Sequence, residues 1–159
     1  MRRLVTVVFM LVMAITVVGC HKETEEDKIR KVITDIQKAA EEKDVKKIIS
    51  NLSKTYSDPQ GFNYETIKRP LLGYFLMYPK ISVYISNLNI SVKGIAARTS
   101  FRTVLTSTNK TGSPTDLIPQ SLGMYDFNIS LKKESDGWKV TSAAWAHVEM
   151  TNTNEADDS

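Results

Sequence analysis

Apolar and polar side chains alternate through the centre of the chain, from Lys80 to Ser107. This period of two is typical of β-strands with one buried face, because successive side chains of a strand point to opposite faces. Lys93-Gly94 interrupts the alternation and predicts a tight turn between two long strands. The inward positions of this hairpin are predicted to be Ile81, Val83, Ile85, Ala97, Thr99, Phe101, Thr103 and Leu105.

The alternation changes parity within the first of these strands. Leu88, Ile90 and Val92 continue the period of two, but out of step with the apolar residues before them. A one-residue change of register moves every following side chain to the other face unless a bulge absorbs it. A β-bulge at Ser86-Asn87 is therefore predicted, and it curls the sheet.

Helical spacing of apolar residues precedes the hairpin. A first helix follows the acidic run 25–27, which suits the positive end of a helix dipole. Asp44 is the predicted N-cap of a second, shorter helix. A third helix is predicted from Asn63, and Pro70 within it indicates either a kink or a later start. The apolar faces of the three helices consist of Ile29, Val32, Ile33, Ile36 and Ala40, then Val45, Ile48, Ile49 and Leu52, then Ile67, Leu71, Tyr74, Phe75 and Tyr78.

Two further strands are predicted after the hairpin. Residues 109–120 contain a glycine and two prolines and are predicted to form a long loop. Asp136-Gly137 predicts a hairpin turn, with a third strand before it and a fourth from Trp138 to about Val148. The polar tail 149–159 is predicted to be disordered. The alternating apolar residues of the third strand are Tyr125, Phe127, Ile129 and Leu131.

The predicted fold class is α+β. N-terminal helices pack on a curved antiparallel sheet of four strands or more, over residues 28–148. A chain of 159 residues with 42% hydrophobic residues is about one domain long and large enough for an apolar core.

The first twenty residues resemble the signal segment of bacterial lipoproteins. Arg2 and Arg3 precede an apolar run that is shorter than a membrane span, and Val17-Val18-Gly19-Cys20 resembles a lipobox. The resemblance implies removal of residues 1–19, lipidation of Cys20, and a tether over residues 20–27. The alternative is an N-terminal anchor helix with a fortuitous cysteine.

The resemblance also implies a location. The residue directly after Cys20 is His21 and not an aspartate. In Gram-negative lipoproteins this resembles the default, which is the outer membrane. The protein is therefore expected in the cell envelope, lipid-anchored, at the outer membrane facing the periplasm. Since Cys20 is the single cysteine, no thiol is left for a disulfide or a metal.

Charge and motifs exclude several classes of function. Without Arg2 and Arg3 the 21 basic residues become 19 against 18 acidic ones, a formal charge of +1, and no basic face interleaved with aromatics predicts nucleic-acid binding. His21 and His147 are the only histidines and are far apart in sequence, so no metal site is predicted. Phosphate-binding glycine loops are absent, and no cofactor is predicted.

The order of elements resembles the nuclear-transport-factor-like cone fold, which includes SnoaL-like polyketide cyclases and ketosteroid isomerase. The matching residues are Lys43-Asp44, Tyr56-Ser57-Asp58 and Gly137-Trp138-Lys139-Val140. The resemblance implies a cone-shaped domain with a conical pocket, and it places Tyr56 and Asp58 at the pocket rim. Many members are enzymes, and many others bind ligands or dimerise through the outer face of the sheet.

The candidate pocket residues are aromatic with one acid. Asp58 is either a general base in an apolar pocket or the first residue of a solvated turn before Pro59, and the turn is favoured. The aromatic residues either stack against a flat apolar ligand or belong to the core, and the core is favoured. No catalytic residue is assigned. The candidates are Tyr56, Asp58, Tyr74, Tyr78, Tyr125 and Trp145.

These patterns predict a non-catalytic domain that binds a small apolar ligand or an envelope protein. The alternatives are a small isomerase, cyclase or hydrolase that uses Asp58 and Tyr56, and a structural subunit of an envelope complex. The outer face of the sheet is predicted to be polar, with cross-strand ion pairing, and therefore favours a monomer or a weak dimer. Its residues are Ser82, Tyr84, Arg98, Ser100, Arg102, Asp126, Asn128 and Ser130.

Overall fold

The computed structural model describes residues 22–107 and 120–149. Helices α1 (Glu25–Glu41), α2 (Val45–Ser50) and α3 (Lys68–Met77) come first along the chain. Strands β1 (Ile81–Lys93), β2 (Ala96–Ser107), β3 (Gln120–Glu134) and β4 (Gly137–His147) form one antiparallel sheet in the order β1-β2-β3-β4. The predicted α+β class is confirmed. The lipobox, residues 109–119 of the predicted loop and residues 150–159 of the predicted tail lie outside the described residues.

Irregular pairing curves the sheet at three points. The β1–β2 register shifts between Ser86 and Asn89, where Asn87 has a φ of 54°, so the predicted bulge is confirmed. Further shifts separate Leu105 from Thr106 and Ser130 from Leu131. Bulges bend a strand and increase its local twist, so the sheet closes around the helices.

The core lies between the concave face of the sheet and the helices. Ile29 and Ile33 of α1 pack with Leu131 and Val140 in a first cluster, and Ile29 is fully buried. A second cluster around Phe75 joins α1, α2 and α3 to the start of β1. The alternating residues of the hairpin face this core as predicted, because a period of two leaves no other face for them.

Helix α1 begins at Glu25, three residues before the predicted domain boundary. Thr24 Oγ1 accepts a hydrogen bond from Asp27 N at 3.1 Å, and the Asp27 carboxylate accepts one from Thr24 N at 3.0 Å. This capping box satisfies two backbone donors that the first turn leaves unpaired. At α2, Asp44 caps as predicted and accepts from Lys47 N at 3.0 Å.

Helix α3 starts at Lys68 instead of Asn63, so the later start suggested by Pro70 is the correct alternative. Residues 64–67 form turns, and Pro70 is the third residue of the helix. Backbone N–H groups of the first turn have no intrahelical partner, so a proline costs little there. Strand β3 starts at Gln120, earlier than predicted, because it pairs with Ser107.

Glu25 joins α1 to the β3–β4 hairpin. Its carboxylate accepts hydrogen bonds from Lys28 Nζ at 2.8 Å and Trp138 Nε1 at 2.8 Å, and lies 2.9 Å from Lys133 Nζ. These contacts, with Lys28 contributing most, lower the pKa of Glu25 from 4.5 to about 2. The ionised carboxylate is therefore favoured in the folded state.

Glu25→Gln is expected to weaken the pH dependence of the free energy of unfolding at acidic pH. A lowered folded-state pKa adds stability that is present above about pH 4.5 and is lost as the pH falls towards 2. The variant should be less stable than the wild type at pH 7, and the difference should shrink from about pH 4.5 downwards and be smallest at or below about pH 2, measured by urea unfolding across this range. Glu26→Gln, at an exposed position of the same turn, is the control. A constant difference between wild type and variant at every pH would contradict the linkage.

Candidate functional site

An apolar cavity of about 230 Å³ lies between α1, α3 and the concave face of β1, β2 and β3. Each element contributes the inward side of its own pattern: the 3.6-residue stripe of the helices and alternate residues of the strands. The lining is almost wholly apolar, with Gln37 donating its side-chain amide to Val83 O at 2.7 Å. The lining residues are Ile33, Ile36, Gln37, Ala40, Leu71, Tyr74, Phe75, Ile81, Val83, Ile85, Phe101, Thr103, Leu105, Phe127 and Ile129.

Stacked aromatic rings form one wall of this cavity. Phe101 and Phe127 are cross-strand partners with ring centroids 5.4 Å apart and an interplanar angle of 10°. Trp145 continues the row on β4, with its ring centroid 6.1 Å from that of Phe127. The two phenylalanines line the cavity and Trp145 packs beside Phe127, so the three rings form one contiguous aromatic wall.

Two residues that line the cavity, Tyr74 and Thr103, carry buried hydroxyl groups that have no hydrogen-bond partner among the described residues. Burial, followed by the nearby Tyr78 and Tyr125, raises the pKa of Tyr74 to about 12. Buried polar side chains in proteins are nearly always hydrogen-bonded. These two hydroxyls therefore leave an unmet hydrogen-bonding capacity beside an almost wholly apolar cavity.

The other aromatic candidates lie around Tyr74 or at the edge of the sheet. Tyr78 packs on Tyr74 with ring centroids 4.7 Å apart. Tyr74 lies within α3, and Tyr78 is the C-cap residue of that helix. Tyr125 makes an edge contact with His147 at 5.2 Å and donates its hydroxyl to Leu122 O at 3.4 Å. Of the six sequence candidates, Tyr74 lines the cavity.

Tyr56 and Asp58 form a separate buried pair. Tyr56 donates its hydroxyl to Asp58 Oδ2 at 2.8 Å, and Phe62 N donates to Asp58 Oδ1 at 2.9 Å. Gly61 N donates to the backbone carbonyl of Asp58 at 3.1 Å, so Asp58 does open the predicted turn. The expected solvation is wrong, because Asp58 is only 7% exposed.

Docking of the preceding backbone on β4 explains this burial. Ser53 N donates to Val140 O at 2.8 Å, and Ser57 N donates to Thr141 O at 3.0 Å, so the segment covers the free edge of the sheet. Burial, the hydrogen bond to Asp58 and its charge together raise the pKa of Tyr56. Asp58 thus holds a tyrosine and a turn in place, and neither residue lines the cavity.

The outer face of the sheet carries a cross-strand ion pair. Arg102 Nε and Nη2 donate to Asp126 Oδ1 and Oδ2 at 2.7 and 2.8 Å, as the shared face of β2 and β3 predicts. The pair is bidentate and partly exposed, which lowers the pKa of Asp126 and raises that of Arg102.

The described part of the chain holds no cluster of three His, Cys, Asp or Glu side chains that could bind a metal ion. None of the helices formed by residues 22–107 and 120–149 is long and apolar enough to cross a bilayer.

The sequence analysis did not identify the buried hydroxyl groups on the inner face of β2 as candidate site residues. Thr99, Thr103 and Ser107 lie at every fourth position of β2 on its inner face, and all three are buried without a partner among the described residues. The signal was available, since hydroxyl residues at predicted core positions of a strand are unusual. The sequence does not give the position of α3 on the sheet, which brings Tyr74 to the cavity that Thr103 also lines.

No protein-family model and no curated protein matches this chain. Its fold is similar to those of many solved structures. A proposed dehydratase of the NTF2-like family from Streptomyces avermitilis superposes with a TM-score of 0.68 at 15% identity, over 78% of this chain and 96% of that one. A proposed scytalone dehydratase from Novosphingobium aromaticivorans gives 0.67 at 14% identity, over 79% and 85%.

A third structure, an NTF2-like protein with a cystatin-like fold from Novosphingobium aromaticivorans, gives a TM-score of 0.66 at 12% identity, over 80% of this chain and 84% of that one. Identities this low show the fold alone. Helices that pack against a curved antiparallel sheet are the shared architecture. The chain therefore has the NTF2-like, cystatin-like cone fold.

Proposed function

We propose that this protein is a membrane-anchored, non-catalytic binding protein whose cone cavity takes a small apolar molecule with one or two polar groups. The observation that supports it is an apolar cavity whose lining residues Tyr74 and Thr103 carry buried hydroxyls without a partner in the described part of the chain. Ligand sites are commonly apolar clefts in which a few convergent polar groups set the orientation.

The size of the cavity restricts the ligand. Its volume of about 230 Å³ exceeds the roughly 150 Å³ that binds benzene in an engineered apolar cavity. A molecule of one substituted ring, or an aliphatic chain of similar volume, fits this space. An aromatic ring of the ligand can pack against the neighbouring rings of Phe101 and Phe127.

The lining also favours binding over acid–base catalysis. None of the described residues that line the cavity carries a carboxylate, an imidazole or a cation. General acid–base catalysis needs such a group within hydrogen-bond reach of the substrate. Asp58, the acid of the enzyme alternative, is hydrogen-bonded to Tyr56 and Phe62 outside this cavity. A dehydratase, isomerase, cyclase or hydrolase activity is therefore the second candidate.

The anchoring part of the proposal rests on the sequence, because Cys20 lies outside the described residues. Four residues, 21–24, lie between the proposed lipidation site, Cys20, and the start of α1 at Glu25. Fully extended, the five residue steps from Cys20 to Glu25 reach about 17 Å, which holds the domain close to an outer-membrane surface on the periplasmic side. The polar outer face of the sheet supports a monomer or a weak dimer there.

Ala40→Phe is expected to abolish ligand binding. Ala40 lines the cavity, and a phenyl ring at this position occupies the space that a one-ring ligand needs. Wild-type protein should bind phenol saturably in methyl-detected NMR, with shifts at Ile33, Ile85 and Leu105, and Ala40→Phe should show no saturable shifts. Toluene should bind more weakly by up to about tenfold, because it cannot pair with the hydroxyls.

Two further variants complete the test. Ala144→Phe places the same ring opposite Asn128 on the outer face, and it should leave phenol binding unchanged. Combining Tyr74→Phe with Thr103→Val should remove the preference for phenol over toluene while retaining both as ligands. Binding that survives Ala40→Phe, or shifts confined to the outer face, would refute the cavity as the site.

A further inference from the structure

The two hairpin turns and the start of α1 lie at the same end of the sheet, which we call the hairpin end. Lys133 N donates to Ile95 O at 2.8 Å, which places the β1–β2 turn beside the β3–β4 hairpin. The Glu25 carboxylate contacts Lys133 and Trp138 at this end. The segment that leads back to Cys20 therefore leaves the domain here.

The outer surface of the hairpin end is cationic. A concavity of about 710 Å³ is lined by Lys93, Arg98 and Lys132, and no carboxylate is among its described lining residues. All three cations are exposed, and none of their side chains has an ion-pair or hydrogen-bond partner within residues 22–107 and 120–149. This contrasts with Arg102 on the same face, which Asp126 neutralises.

Strand register brings the three cations together. Ala96 pairs with both Lys93 and Lys132, so these two lysines flank one position of β2. Arg98 lies two residues further along β2 and therefore on the same face. Of the acids at this end, Glu25 lies beside Lys133 and Asp136 lies beside Lys139. Glu23 and Glu26, at the start of α1, do not line the concavity. Glu134 lies at the neighbouring turn, outside the concavity.

The tip of the β1–β2 turn adds an apolar residue. Ile95 is 62% exposed and follows Gly94, whose φ of 61° forms the tight turn. An exposed aliphatic side chain between unpaired cations is the combination that binds an anionic membrane interface, with the cations at the headgroups and the apolar group below them.

Exposed apolar residues of α3 form a second surface that could contact the membrane. Leu76 is 87% exposed, Met77 is 68% exposed and Leu72 is 44% exposed, all on α3. Since α3 leads directly into the start of β1, the end of α3 lies at the end of this 13-residue strand that is opposite to the hairpin end. A strand of this length spans up to about 40 Å. A tether of about 17 Å attached at the hairpin end favours contact at that end.

We infer that the hairpin end docks on the anionic lipid surface in which the Cys20 acyl chains are inserted, with Lys93, Arg98 and Lys132 at the headgroups and Ile95 below them. The inference rests on the proposed lipidation of Cys20. It gives the anchored domain a fixed orientation, with α3 and its exposed leucines directed away from the membrane.

Quenching by brominated lipids tests this orientation. The acylated full-length protein, purified from its host envelope, is reconstituted into phosphatidylcholine vesicles with and without phosphatidylglycerol. Because lipidation consumes the Cys20 thiol, Ile95→Cys or Leu76→Cys supplies the single site for a fluorophore. The label at residue 95 is expected to be quenched when phosphatidylglycerol is present, and the label at residue 76 is expected to stay unquenched.

Charge variants separate electrostatic docking from the tether. Replacing Lys93, Arg98 and Lys132 together by glutamine is expected to lower the ratio of docked to undocked protein by about 100-fold at low salt. Each cation near an anionic surface contributes about fivefold to this ratio, and the three contributions multiply. The matched control neutralises Lys38, Lys46 and Lys80, three exposed lysines away from the hairpin end, and should leave quenching unchanged.

Each other outcome overturns a distinct statement. Quenching at residue 76 instead of residue 95, or equal quenching at both, overturns the orientation while the anchor stands. Quenching at residue 95 that does not respond to the triple glutamine variant overturns the role of the cations. An intact mass without acyl groups overturns the proposed anchoring and this inference together.

Discussion

Replacing Cys20 by serine is expected to leave an unprocessed precursor that retains residues 1–19 and takes up no labelled fatty acid. A hydroxyl group cannot form the diacylglyceryl thioether that the lipobox resemblance implies, and cleavage depends on that modification. Each buried CH₂ of an acyl chain contributes about 0.8 kcal/mol to membrane binding, so two or three chains anchor a protein almost permanently. The change in acylation should therefore be all-or-none, measured by fatty-acid labelling and intact mass.

The neighbouring variant His21→Ser is the control for this experiment. It alters the residue after the cysteine and leaves the thiol, so processing and acylation should continue. Maturation and acylation of Cys20→Ser at wild-type levels would refute the lipobox interpretation and favour the alternative of an anchor helix.

Asp58→Ala is expected to lower the free energy of unfolding by about 3 kcal/mol. The substitution leaves the Tyr56 hydroxyl and the Phe62 N–H buried without their acceptor, and each such orphaned group costs about 1–3 kcal/mol. Burial is what makes the effect large, since Asp58 is 7% exposed and Tyr56 is 4% exposed. Urea unfolding at neutral pH measures the difference.

Asp58→Asn and Tyr56→Phe dissect this loss. Asparagine retains an acceptor for Phe62 N, and its amide can donate to the Tyr56 hydroxyl, so we expect a cost of about 1 kcal/mol. In the double variant Asp58→Ala/Tyr56→Phe the orphaned hydroxyl is absent, and part of the loss should be recovered. Asp58→Ala within 0.5 kcal/mol of the wild type would mean that the pair is solvated. Loss of a measured catalytic activity in folded Asp58→Asn would favour the enzyme alternative.

Local patterns account for the elements that sequence reasoning located correctly. The bulge in β1 follows from the change of parity at Leu88, and the N-cap of α2 follows from Asp44, because each is decided by a few consecutive residues. The start of α3 was ambiguous, since Pro70 is compatible with a kink or with a first turn. That choice depends on the turns at residues 64–67, which have no apolar period.

The candidate site was harder to predict because its parts come from distant segments. Tyr74 and Thr103 carried no local sign of lining the same cavity, since one is on a helix and the other on a strand. Asp58 was expected in water because its neighbours are typical of turns. Its burial depends on hydrogen bonds from Ser53 and Ser57 to β4, more than eighty residues away in sequence.

The sequence by itself determined the α+β class, the four strands with their inward faces, and the cap of α2. It did so because periodicity and capping are properties of neighbouring residues. Only the tertiary structure decided that α1, α3 and three strands enclose an apolar cavity, that Asp58 is buried against Tyr56, and that three unpaired cations meet at the hairpin end. Those features depend on strand register and helix docking, which join residues that no local pattern connects.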